Sequence, residues 1–396
     1  MIPAARLAAV PEYPFARWAA HCRAAVKRGI DLIRLDIGNP DLPPPPAVLD
    51  AACAAMRSPA THGYPGYRGS SELRGAICER YERRFGVSLD PDREIVCLLG
   101  SKEGIIHLQQ AMLDPADPVL LPDPGYTPYA DGAALSRATI VRFPLRAAGG
   151  YLPDFDRIPP EIARRAKAIW LNYPNNPTGA VAGPGAFTNA VDFARRHDLL
   201  LCHDAPYAEI RHDGKAPASI LQVPGAHEVA IEFNSLSKTF NMAGWRIGYA
   251  VGHPGAIELL RRIKSNVDSG MFLPLQRAAV AALATDDAWI DKRNAVYRDR
   301  LRLLAEACSA AGLASEMPLA THYLWVRLPM GEEAEPFALR LLDEVGVAVA
   351  PGSFFGPAGE GFVRLSVTAP TDRIREAADR IVAGSRLDRA AGRPRE

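Results

Sequence analysis

The sequence has no CxxC pair, no HExxH and no stretch approaching ~18 uninterrupted apolar residues. The six cysteines, at 22, 53, 78, 97, 202 and 308, are scattered, and the nine histidines are equally dispersed. No ligand spacing for a metal can be read from them. Four of the cysteines sit in apolar or helix-like stretches and read as reduced, small core residues. Without a long apolar run, a membrane-spanning helix is excluded. An excess of one charge is lacking too. The 46 Lys+Arg against 45 Asp+Glu leave a formal charge of +1, which gives no electrostatic footprint for nucleic acid or an anionic membrane. Positions 1–10 lack the charged, apolar and cleavage-site pattern of a secretory signal, so the cytoplasm is the expected compartment. No internal repeat is visible. Low complexity is confined to the prolines at 43–46 and the charged tail at 386–396, which reads as frayed.

What is present is a long chain with an ordinary globular composition. At 396 residues it exceeds the ~250 that one core usually serves, so two domains are expected. Short β-branched runs alternate with helical stretches. Strands are expected at 95–99, 119–121, 139–143, 168–172, 199–203, 229–233 and 248–251, with helices at 104–113, 184–196 and 254–265 between them. Apolar runs without polar alternation mark strands buried on both faces, and strand–helix alternation marks a mainly parallel sheet covered by helices. The fold class is therefore α/β. After about residue 285 the texture changes. Ile290, Tyr297, Leu301, Leu304, Cys308 and Ala311 form the stripe of one long amphipathic helix. Strands at 323–327, 347–350 and 362–366 and helices near 335–345 and 371–385 follow, the pattern of a smaller α+β domain. The expected division is an N-terminal arm and part of the small domain at 1–40, a large domain at 41–285 and a small domain at 286–396.

Four segments carry chemistry. In SLSKTFNMAGWRIG, at 235–248, Lys238 lies just beyond a buried strand, among small hydroxyls, with Arg246 eight residues on. Alone, an SxxK pattern is a solvated loop lysine. Hydroxyls beside a guanidinium make a phosphate site, and a lysine held there can condense with an aldehyde. In LCHDAPY, Asp204 ends another apolar strand, where its ionisation is costly without a cation. A strand-end Asp is also a common helix cap. His203 points to the other face and reads as structural, whereas Tyr207 lies three residues on. YPNNPTG, with Asn176, reads by itself as a turn. GSKEG, at 100–104, opens a helix and offers a hydroxyl and free N–H groups to phosphate, or is an ordinary capped helix.

Together these segments resemble the fold-type-I pyridoxal-phosphate (PLP) enzymes of the class I/II aminotransferase family, over nearly the whole chain. The resemblance implies a large domain with a mainly parallel seven-stranded sheet, a smaller α+β domain, and a homodimer with active sites at the subunit interface. It implies that Lys238 forms the Schiff base with pyridoxal 5'-phosphate and shuttles the substrate proton. Asp204 resembles the partner of the pyridine nitrogen, and Asn176 and Tyr207 the holders of the phenolate oxygen. Ser101, Lys102, Glu103, Ser235, Ser237 and Arg246 match the residues around the phosphate. Tyr126, in DPGYTPY, matches the aromatic that stacks on the ring, and Tyr64, in HGYPGY, the tyrosine that reaches a partner's phosphate. Arg364, in FVRLS, resembles the arginine that grips the substrate α-carboxylate, with Gly38 bringing backbone close to the same group.

Within the family the segments are most similar to LL-diaminopimelate aminotransferases. The implied reaction moves an amino group from an L-amino acid to a 2-oxo acid such as 2-oxoglutarate. A PLP-dependent oxidase, lyase or racemase is the alternative, because the lysine and aspartate are common to all of them. Arg68 departs from the pattern, standing where acidic or neutral residues are usual. In the substrate site it would repel a distal ammonium and welcome a distal carboxylate; pointing to solvent, it would decide nothing.

Overall fold

The apolar runs become the strands of one seven-stranded sheet. The computed structural model describes the backbone of residues 4–8 and 10–390. After a short β1 (Ile33–Arg34) come β2 (Ile95–Leu98), β3 (Pro118–Asp123), β4 (Thr139–Pro144), β5 (Ala168–Asn172), β6 (Leu200–Asp204), β7 (Ala230–Ser235) and β8 (Gly248–Gly252). Their order across the sheet is β2-β8-β7-β6-β5-β3-β4. β3 to β7 pair in parallel, and β8 runs antiparallel to both β7 and β2. Alternate residues feed two cores. Ile95, Cys97, Leu201 and Val251 enter one cluster, and Val96, Leu98, Cys202 and Ala250 the other. Burial on both faces is why these strands read as unbroken apolar runs. The edge strand β4 is the exception, with only Phe143 buried.

A second set of elements follows the long helix Asp287–Ala310, whose first N–H groups are capped by the Asp286 side chain accepting from Trp289 N at 3.0 Å. β9 (Ala314–Ser315), β10 (Tyr323–Arg327), β12 (Ala350–Pro351) and β13 (Phe362–Ser366) form an antiparallel sheet in the order β12-β13-β10-β9. The stretch expected as one strand at 347–350 divides. β11 (Val347–Ala348) pairs with β1, and β12 with β13. The helix expected at 335–345 also divides, Ala334–Arg340 ending in a π-turn at Leu341–Val345. Trp18, Cys22 and Ala25, spaced along the inner face of the helix Pro14–Lys27, pack with Leu301, Leu304, Val363 and Ile374. The start of the chain is thus built into the core of its end. The tail expected to fray is helical up to Ala390, and 391–396 lie outside the described residues. Cys22, Cys97, Cys202 and Cys308 are buried free thiols.

Beneath β6 and β7 lies a buried polar knot. Glu232 accepts from Tyr81 Oη at 2.6 Å, Ser219 Oγ at 2.9 Å and the Ile220 N–H at 3.0 Å, and meets His203 Nδ1 at 2.9 Å. Burial alone would push its carboxyl up, but the His203 contact and the other donors hold it below the ordinary 4.5. A depressed folded value means that its contribution to stability is complete above pH 4.5 and lost as pH falls through the folded value. Glu232→Gln should therefore lower stability by about 2–3 kcal/mol at neutral pH. The difference from wild type should shrink on acidification. Urea unfolding at neutral and acid pH measures both; a pH-independent gap would show that the ionised carboxylate contributes nothing.

Candidate functional site

Ligand sites in such sheets form beyond the carboxyl ends of parallel strands, and here those ends converge on a cavity of about 390 Å³. Asp204, the last residue of β6, lines it, and so does Asn172, its register partner on β5. Asp204 is 2% exposed. Its Oδ2 accepts from Tyr129 Oη at 2.8 Å, and its main-chain oxygen from Asn172 Nδ2 at 2.7 Å. Oδ1 has no hydrogen-bond partner. Burial raises its pKa from 3.8 to about 7, with the Tyr129 hydrogen bond pulling the other way. His203, one residue earlier, faces the Glu232 knot on the opposite side of the strand, as period-two alternation requires.

Lys238 follows β7 on the short turn Leu236–Thr239, which Ser235 caps by accepting from Ser237 N at 3.2 Å. Its Nζ donates to Gly38 O. Removal from water, then the charges of Arg364 and Arg246, lower its pKa from 10.5 to about 7. Gly38 must be glycine, because a Cβ there would stand 1.9 Å from the Tyr323 hydroxyl oxygen. The lysine's backbone is held from behind. Arg293, on the long helix, donates to Lys238 O at 3.1 Å and to Thr239 O, and also to Glu209 O at 2.9 Å.

Ser101 and Lys102 line the cavity at the start of the helix Ser101–Met112, with Ser235, Ser237 and Arg246 beside them. The Arg246 guanidinium lies against Gly100, where a Cβ would come within 2.2 Å of Nη2. Tyr126, Asn176 and Tyr207 complete the inner wall. Tyr207 Oη is 3.0 Å from Tyr323 Oη. Arg364, on β13 and 3% exposed, donates to Asn176 Oδ1 and to Asp36 O, each at 2.7 Å, and its Nε has no partner. No carboxylate pairs with Arg364 or Arg246 among the described residues. The site thus gathers two amines, two guanidiniums, hydroxyls and helix-end N–H groups around the buried Asp204 carboxylate, the other lining carboxylate, Asp36, being paired with Arg34. That set suits a ligand with anionic groups at two ends and a cationic atom at the Asp204 oxygen.

Three residues singled out in the sequence stand elsewhere. The Glu103 side chain does not line the cavity; its Oε1 accepts from Leu99 N and from Lys264 Nζ, each at 2.9 Å, and so braces the helix start. Arg68 donates to Asp92 O, and Tyr64 is 91% exposed; neither lines the cavity. The sequence reading passed over Tyr129, one helical turn after Tyr126, and the aromatic side chains of Tyr13, Phe15, Tyr323 and Phe355, which also line the cavity. For Tyr129 the second tyrosine of DPGYTPY was the available signal.

The family model for aminotransferase class I and II matches residues 30–381. An LL-diaminopimelate aminotransferase of Desulforudis audaxviator is 47% identical over 380 residues, covering 96% of this chain and 97% of the relative. Among solved structures, substrate-bound BacF from Bacillus subtilis superposes with a TM-score of 0.93 at 36% identity, over 97% of this chain and 98% of that one. A probable N-succinyldiaminopimelate aminotransferase from Thermus thermophilus does so with a TM-score of 0.88 at 42% identity, over 93% and 99%. Matches that run this far along the chain take in the strand ends, the turns and the arginine of the cavity together, and the chain belongs to the aminotransferase class I and II family: it is an aminotransferase.

Proposed function

We propose that the cavity holds pyridoxal 5'-phosphate and moves an amino group from an amino acid to a 2-oxo acid. The carrying observation is the unpartnered Asp204 Oδ1, fully buried in the same cavity as a lysine of lowered pKa. Asp204 would hold the protonated ring nitrogen, and Asn176 and Tyr207 the phenolate oxygen, with Tyr126 against the ring. Ser101, Lys102, Ser235, Ser237 and Arg246 would hold the phosphate. When bound, the cofactor supplies an aldehyde carbon and an electron-withdrawing ring that stabilises negative charge at the substrate α-carbon.

The chain's own residues do the rest. Arg364 presents a guanidinium edge without an anion, so it takes the donor's α-carboxylate and fixes the α-carbon near Lys238. Lys238 Nζ, with its pKa near neutrality, is in part a free amine at pH 7 and serves as the base that takes the α-proton and returns a proton to the same face. The aromatic walls exclude water from these transfers. A homodimer is the supporting assembly. Tyr64, Tyr67, Phe272 and Met56 are exposed, and the His62 and Phe272 rings lie 6.0 Å apart, so part of this apolar surface is continuous. The relatives' names make LL-diaminopimelate the first donor to try.

The reading is tested by mixing holoenzyme with single amino acids and following the bound cofactor's absorbance from its aldehyde to its amine form; no change with any amino acid refutes it. Lys238→Ala should lose turnover altogether, since no other side chain moves the α-proton, and near-normal multiple turnover by that variant would remove the lysine from the reaction. Asp204→Ala should cost orders of magnitude in rate, because one charge contact in a dry site is worth several kcal/mol. A loss under tenfold would leave Asp204 as a structural residue. Arg364→Ala should cost about 2–5 kcal/mol in kcat/KM for amino acids and little for amines that lack the carboxylate. Equal losses for both would place the arginine outside the substrate site.

A further inference from the structure

We infer that the amino donor carries an apolar or aromatic side chain without a second ammonium, an inference that rests on the aminotransferase reading above. The Arg364 guanidinium is ringed by aromatics. Its central carbon lies 4.0 Å from the Tyr323 ring centroid, 4.7 Å from Phe355 and 5.7 Å from Phe15. A donor docked by its α-carboxylate on this arginine starts its side chain among those rings. Tyr13 and Ile37 continue the apolar wall toward the mouth, where Tyr13 carries the Lys102 ammonium 4.2 Å above its ring. Phe15 and Tyr13 touch at 5.6 Å, and Phe15 packs edge-on against Phe355 at 5.9 Å, so the wall is one continuous aromatic surface.

Among the described residues a distal ammonium finds no free anionic receptor in this cavity. Two carboxylates line the cavity, Asp36 and Asp204, and both are almost fully buried. Asp36 is committed to Arg34, accepting from Nε at 2.6 Å and Nη2 at 2.7 Å. Asp204 lies beyond Tyr129 at the position assigned to the ring nitrogen. A second cation on the donor would lose its hydration and meet no free anion, whereas an apolar side chain gains ring contacts. If a second copy brings its exposed 62–69 segment to this mouth, that segment holds His62, Tyr64, Tyr67 and Arg68 and no carboxylate.

The experiment is a set of single-turnover half-reactions of the holoenzyme with phenylalanine, leucine, alanine, lysine and LL-diaminopimelate. Phenylalanine or leucine should exceed alanine, lysine and LL-diaminopimelate by at least about tenfold in kcat/KM. Phe15→Ala should shrink the phenylalanine-to-alanine ratio by about fivefold or more, with Phe15→Leu as the variant to use if the alanine form does not fold. Preference for lysine or LL-diaminopimelate, or no advantage of phenylalanine and leucine over alanine, overturns the inference and leaves the aminotransferase reading standing. Silence with these five and with every other amino acid, glutamate and aspartate included, overturns both.

Discussion

The pocket depends on a carboxylate taken out of water with one oxygen unpartnered. Asp204 sits at the end of β6, flanked by β5 and β7, where ionisation without a counter-charge is disfavoured until about pH 7. Measured against an ordinary 3.8, that is a cost on the order of 4 kcal/mol. It grows as pH rises from the unfolded to the folded value and stays in place above it. A cation at Oδ1 is what offsets it. Lys238 carries the mirror-image constraint, a base pressed toward neutrality by the loss of water and by Arg364 and Arg246. One environment thus disfavours the charged form of both groups, the carboxylate and the amine.

Much of this was legible in the sequence because burial on both faces leaves a plain mark. The central strands lie within two residues of their expected ends, since their runs are almost wholly apolar and the polar residues inside them, His203 and Glu232, pair with each other. Asp204 and His203 could be assigned to opposite faces from alternation alone, and the Glu232 contact explains what the histidine does. Glu103 shows the limit of motif reading. It belongs to GSKEG, yet it turns back one helical turn to its own Leu99 N–H and across to Lys264. Nothing within the motif announces a lysine 161 positions later. Tyr129 was missed for the same reason, its partner being 75 residues away. Tyr13 and Phe15 reach the cavity from the N-terminal end of the helix Pro14–Lys27 because Trp18, Cys22 and Ala25 bind that helix into the core of the C-terminal elements. Arg68, unusual as a residue, is accounted for by a local partner, Asp92.

Glycine sets the close approaches on which the site's shape rests. At Gly38 the missing side chain lets the Tyr323 hydroxyl and the Lys238 amine come to the same stretch of backbone. At Gly100, with φ +85°, the backbone both turns into the helix and leaves room for the Arg246 guanidinium. Neither position touches a reacting atom through a side chain of its own. Each determines how near a charged neighbour can stand.

The Arg293 guanidinium has a mechanical consequence. It fastens the main chain behind Lys238 and the main chain at Glu209, five residues beyond Asp204, to one helix, and that helix, Asp287–Ala310, continues into the C-terminal core. The turn bearing the amine and the backbone just beyond the carboxylate's strand are therefore yoked to a common beam. The strand that carries Arg364 rests on the same beam, since Leu301 and Leu304 of the helix share a core cluster with Val363 and Leu365 of β13, and Arg300 donates to Val367 O at 3.0 Å. One helix thus supports the lysine, the buried carboxylate and the arginine of the cavity together.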